Sequence, residues 1–290
     1  MRKVKQRSTT IVDDSARVIY GHTLSEGAPF AVAEGLRDAV AAPDLLRPRF
    51  PLHQGALKPF WRYYGGKWRA APRYPSPKHS IIIEPFAGAA GYSMRYPERQ
   101  VVLVEKHPVV AELWRFLISV HPSEILSIPL VDDVRDLPSW VSVGGRHLVG
   151  FAMNAATTTP CVRISSGRKK LREMGRVYEG WSESLRMRVA SQVGRIRHWR
   201  IIEGDYTSAP DVEATWFVDP PYNNKAGRYY PCHDLDYTAL GVWCRERRGQ
   251  VMVCENEGAT WLPFKPFAVF KAGVNGNGSR EAIWESHEPV

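Results

Sequence analysis

The residues with the clearest chemical potential are Asp219-Pro220-Pro221-Tyr222, which follow the run Thr215-Trp216-Phe217-Val218. Two consecutive prolines cannot continue a sheet ladder, so the chain must leave a strand there and present Asp219 and Tyr222 at its C-terminal edge. That edge is where open α/β sheets hold their ligands. An ordinary turn gains nothing from a carboxylate, two prolines and an aromatic ring in this order. A second candidate is the turn from Glu84 through Phe86, Gly88 and Gly91, directly after Ile81-Ile82-Ile83. Small residues after a first strand let a cofactor approach the backbone, although no third glycine completes a dinucleotide fingerprint. A third is Glu105, which ends Val101-Val102-Leu103-Val104. An acid at the end of a second strand can hold the two hydroxyls of a ribose.

These residues require a parallel sheet to position them. Residues 79–120 read as β-branched run, Gly/Ala-rich turn, short helix, second β-branched run and helix, a β-α-β-α unit. Strand rhythm returns at 200–206, 215–222 and 249–258, followed by a hairpin with Asn-Gly pairs at 275–278 as its turn. Between the two halves, 121–199 holds an apolar stretch, the hydroxyls Thr157, Thr158 and Thr159, and a basic helix at 181–199. In that helix Leu185, Val189, Val193 and Ile196 recur at helical spacing, and Ser182 or Ser184 can cap its start. Trp181 and Trp199 at its ends read as core anchors. The expected organisation is a partly ordered appendage at 1–55, a catalytic domain from 56–120 and 200–290, and a basic target-recognition insertion at 121–199.

Composition narrows the class. With 290 residues, 44% hydrophobic and 24% charged, the chain is long enough for a large core and is not a disordered polymer. No apolar run approaches the roughly 18 residues of a membrane span. The four cysteines lie far apart without CxxC spacing, and the nine histidines are scattered. Neither a disulfide framework nor a metal site is expected, and the default compartment is the reducing cytoplasm. The net charge of +9 is uneven: residues 51–83 carry +6 and 163–200 carry +8, while 201–290 carry −5. Two basic segments of this kind are the electrostatic footprint of a polyanion-binding protein.

The motifs occur in the order Tyr63-Tyr64-Gly65-Gly66-Lys67, Glu84-Pro85-Phe86-Ala87-Gly88, Glu105, Gly204-Asp205-Tyr206 and Asp219-Pro220-Pro221-Tyr222. In this the chain resembles the Dam-type adenine-N6 DNA methyltransferases, which include many phage members, over roughly residues 57–288. The resemblance implies an α/β fold, a Rossmann-like S-adenosylmethionine-dependent methyltransferase sheet with a helical DNA-recognition insertion. It implies contacts to S-adenosylmethionine from Tyr63 and Lys67, a cradle for its methionine portion from Glu84, Phe86 and Gly88, and a ribose hold from Glu105. Asp205 and Tyr206 would border the adenine of the cofactor, with Asp219 beside it. Ala90 stands where many members have a second glycine, and Glu105 where Asp is common.

The implied chemistry suits the residues. The exocyclic N6 of adenine is a poor nucleophile because its lone pair is delocalised. Asp219 and the Pro220 carbonyl can accept hydrogen bonds from its two hydrogens, and Tyr222 can stack on the ring and align it. The base must leave the duplex to reach such a site. Arg168, Lys169, Lys170, Arg172 and Arg176 are the densest candidate grip on double-stranded DNA. A cognate restriction endonuclease is a partner that the resemblance allows. Competing readings are cytosine-N4 or RNA-adenine methylation and a catalytically silent DNA-binding relative. Cytosine-C5 methylation would need Cys232 as nucleophile, yet that cysteine does not directly follow a strand. His233, Asp234 and Asp236 read as a solvated loop.

Overall fold

The computed structural model describes residues 55–175, 180–270 and 279–286. The expected N-terminal appendage up to residue 54, Arg176 and the Asn-Gly turn lie outside the described residues. Within them, seven strands form one sheet in the order β3-β2-β1-β4-β5-β7-β6. These are β1 (Ile81–Glu84), β2 (Gln100–Glu105), β3 (Arg200–Glu203), β4 (Ala214–Val218), β5 (Gly249–Asn256), β6 (Lys265–Phe270) and β7 (Ser279–Glu285). The first five pair in parallel, and β7 inserts antiparallel between β5 and β6. This is the Rossmann-like α/β fold expected from the sequence.

Parallel strands covered on both faces read as continuous apolar runs, and β4 is buried at every residue. One face carries α1 (Pro108–Ser119), α3 (Val143–Met153) and α5 (Glu183–Val193), whose buried residues join the sheet in a single hydrophobic cluster. The other face packs against α6 (Tyr237–Arg245). The remaining helices are α2 (Pro122–Ser127) and α4 (Ser166–Glu173). Side chains close the helix starts where unpaired N–H groups need acceptors. Ser182 caps α5 by accepting from Leu185, and Asp236 caps α6 by accepting from Thr238 and Ala239. Trp181 and Trp199 are both buried, as core anchors are. Among the described residues no helix is long and apolar enough to cross a membrane.

The segment between α1 and β3 is built into the same core. Trp114 of α1 packs against Trp199 with ring centroids 5.9 Å apart, and Gly144 of α3 lets that helix lie against Phe116. The strand order reverses between the parallel neighbours β1 and β4. Glu84 and Asp219, at the C-terminal ends of those two strands, therefore flank the crevice where such sheets bind ligands.

Candidate active site

The turn after β1 is held by its own chain. Glu105 at the end of β2 accepts the Gly88 N–H at 2.9 Å and the His107 N–H at 2.8 Å, one on each oxygen. The Trp114 indole donates to the Gly88 carbonyl at 2.8 Å. Gly88 adopts φ +44°, and a Cβ there would sit 3.1 Å from the Tyr63 ring. Gly91 is small for a different reason than cofactor access: a Cβ at Gly91 would lie 2.6 Å from the Trp68 amide nitrogen, so the Lys67 turn packs directly on it. Ala90, between them, is held at φ 49°, a left-handed conformation that favours the glycine common in the resembled family.

Behind this turn, burial raises the Glu84 carboxyl to about 8, against the lowering effect of the Ser93 N–H that it accepts at 2.7 Å. Glu84 is therefore largely protonated at neutral pH. Burial likewise raises Glu105, while its backbone donors pull it down.

The Asp-Pro-Pro-Tyr segment meets Lys67 across the crevice. Lys67 is 8% exposed, and its Nζ lies 2.8 Å from Asp219 Oδ1 and 4.7 Å from the centre of the Tyr222 ring. At that distance the ammonium holds this oxygen as a charge-assisted hydrogen bond, and a carboxylate keeps further acceptor sites beyond it. Burial raises Asp219 to about 6; Lys67 opposes the shift, and Glu281 and Glu255 reinforce it. Burial alone would pull Lys67 down, but Asp219 and Glu281 outweigh it and hold the ammonium charged. Tyr222 donates its hydroxyl to Glu281 of β7. The next residue, Asn223, donates its N–H to Glu255 of β5 at 2.6 Å, and Tyr237 of α6 donates to the Pro221 carbonyl at 2.6 Å.

These elements enclose a pocket of about 250 Å³, just under the roughly 300–1,000 Å³ of small-molecule sites. Tyr63, Lys67, Glu84, Phe86, Gly88, Glu105, Asp205, Tyr206 and Asp219 all line it. Phe86 and Tyr206 stack at 5.8 Å on one wall. Pro220 and Tyr222 are not on the pocket wall: Pro220 is buried, and the half-buried Tyr222 is turned toward Lys67 and Glu281. Asp234 and Asp236 are exposed, as expected of a solvated loop, and also border the pocket, because the loop after Tyr222 folds back over residues 63–66. Tyr230 fixes that fold by donating to the Tyr64 carbonyl at 2.9 Å. Six carboxyl groups (Glu84, Glu105, Asp205, Asp219, Asp234 and Asp236) and two lysines (Lys67 and Lys106) thus share the pocket. Cys232 also lines it, but burial pushes its thiol up, away from the thiolate that a nucleophile needs.

The basic candidates lie on α4 and are not equivalent. Lys169 and Lys170 are exposed and Arg168 is half-buried. Arg172 forks onto Asp132 with contacts of 2.5 and 2.6 Å. Sequence reasoning missed Glu281, Glu255 and Tyr230. No sequence signal marks Glu281, since its strand reads Ser-Arg-Glu-Ala-Ile-Trp-Glu, with other charged residues beside it.

No protein-family model and no curated protein matches the chain. Among solved structures it is similar to the candidate methyltransferase yhhF of Escherichia coli, at 12% identity and a TM-score of 0.31, over 76% of this chain and 82% of that one. So distant a likeness has no bearing on activity.

Proposed function

We propose that the chain is an S-adenosylmethionine-dependent methyltransferase that modifies the N6 amino group of adenine in double-stranded DNA. The observation that carries this reading is the Asp219 carboxylate. It lies at the C-terminal edge of β4, lines a cofactor-sized pocket and is held at one oxygen by the buried Lys67 ammonium. Lys67 fills only part of the carboxylate's acceptor capacity, so a base amino group can donate to the same side chain. The cofactor fits the donor set: it is a sulfonium cation with an ammonium group and a ribose diol, and the pocket is dominated by carboxyl groups, with Glu105 beside the Gly88 turn.

When bound, S-adenosylmethionine supplies an electrophilic methyl group. Asp219 accepts a hydrogen bond from one N6 hydrogen and the Pro220 carbonyl from the other. This localises the nitrogen lone pair and stabilises the positive charge that develops on N6 as it attacks. As the N–methyl bond forms the methyl–sulfur bond breaks, leaving a neutral thioether, and one N6 proton is then lost to solvent. Lys67 keeps Asp219 oriented and ionised above about pH 6. Tyr222 supports the ring of the flipped base, a contribution from orientation. Lys169 and Lys170 supply phosphate contacts at the surface.

Nucleoside analysis of DNA from cells expressing the protein tests the reading. The expected product is N6-methyladenine within a short sequence motif. Methylcytosine alone would contradict the choice of atom, and modified adenine confined to RNA would contradict the choice of polymer.

A further inference from the structure

We propose that Glu281 is a positioning residue for methyl transfer, acting through the Tyr222 hydroxyl to set the angle of the ring that supports the target base. The inference rests on the methyltransferase reading above and goes beyond it, because Glu281 belongs to none of the motifs that suggested that reading.

The topology explains how a residue so late in the chain reaches the site. Because β7 runs antiparallel, its N-terminal end meets the C-terminal edge of the parallel strands. Its register pairs Glu281 with Asn256 of β5 on one side and Ala268 of β6 on the other. The backbone at 281 is therefore fixed by two ladders. Its side chain is 8% exposed, a costly place for a carboxylate unless it has partners. One partner is the Tyr222 hydroxyl, and the charge of Glu281 also bears on Lys67 and Asp219.

Tyr222 is thus constrained at two points. Its ring has the Lys67 ammonium 4.7 Å from its centre, and its hydroxyl ends on a carboxylate carried by the sheet. Stacking on a base needs only the ring, so phenylalanine would stack equally well. The hydroxyl adds an anchor, and a ring anchored at its far end presents one face at one angle. Near-attack geometry is sensitive to displacements of about 1 Å, which cost on the order of 100-fold in rate.

The test is the single-turnover rate of labelled methyl transfer to DNA by the full chain. The variants are Glu281→Ala, Glu281→Gln, Tyr222→Phe and the double change Glu281→Ala with Tyr222→Phe. Glu281→Ala and Tyr222→Phe should each slow the step about 10- to 100-fold, with the KM for S-adenosylmethionine little changed. Glu281→Gln, which keeps an acceptor, should recover most of the rate. The double variant should be no slower than Glu281→Ala alone, because both remove one interaction. Tyr222→Phe at the wild-type rate overturns the proposal even if Glu281→Ala does not fold. So do losses that multiply in the double variant. A wild type that transfers no methyl to DNA overturns the methyltransferase reading together with this one. A wild type that transfers, with Glu281→Ala at its rate, overturns this one alone.

Discussion

The sheet edge and the helical segment between α1 and β3 both concentrate charge, yet they use it in opposite ways. At the edge, the buried Lys67 and the half-buried Asp219 pair at 2.8 Å and face a pocket. In the helical segment, arginines are bound to the ends of neighbouring helices. Arg197 donates to the Ile118 and Val120 carbonyls at the end of α1, and Arg186 to the Ile128 carbonyl after α2. Arg146 reaches four carbonyls, those of Val134, Leu137, Pro138 and Val141. Helix C-termini leave carbonyls unsatisfied and carry partial negative charge, so guanidinium groups suit them. The comparison teaches that a basic segment is not by itself a phosphate grip. Much of its charge knits the fold, and the exposed lysines of α4 are the better candidates for contact.

The sharpest way to break this contrast is to remove one partner from the buried pair. Lys67→Met leaves Asp219 buried without its cation and should cost about 3–5 kcal/mol of stability by denaturant unfolding, as well as activity. If the variant were as stable as wild type, the pair would not be a buried unit. Within the helical segment, Arg146→Ala should cost about 2–3 kcal/mol by orphaning several carbonyls. An unchanged unfolding midpoint would show that those carbonyls are met by water.

The pH dependence separates the regions in a second way. Asp219 acts as a carboxylate, and burial raises it to about 6. Transfer should therefore be full above that pH and fall about tenfold per unit below it. A rate flat down to pH 4 would remove Asp219 from the step. Replacing Lys169 and Lys170 together by alanine should change stability by less than about 0.5 kcal/mol. It should also lower the salt-dependence exponent of DNA binding by about 0.9 per lost phosphate contact. An unchanged exponent would place the DNA elsewhere. The smallest expected effect is that of Cys232→Ser, which should leave transfer intact; its loss would favour cytosine-C5 chemistry.

Legibility followed the same division. The Gly88 turn, Glu105 and the Asp219 segment were readable because each is a contiguous motif at a strand end, where the sheet alone fixes its place. Ser182 as the α5 cap and the core roles of Trp181 and Trp199 were readable from local pattern. Glu281 was not, since its place depends on β7 inserting antiparallel between two strands that precede it in the chain. Asp234 and Asp236 are exposed, as the sequence suggests, but that they border the pocket was not readable, since it depends on contacts such as the Tyr230 bond to the Tyr64 carbonyl. The arginine roles were hidden for a simpler reason: their acceptors are carbonyl oxygens, which every residue carries.

The most direct test of the central claim is transfer of labelled methyl from S-adenosylmethionine to DNA by wild type and by Asp219→Ala. The prediction is label on adenine with wild type and a loss of about 100- to 1,000-fold in the folded variant. Wild type that labels no DNA while still binding it, or a variant as active as wild type, would contradict the account.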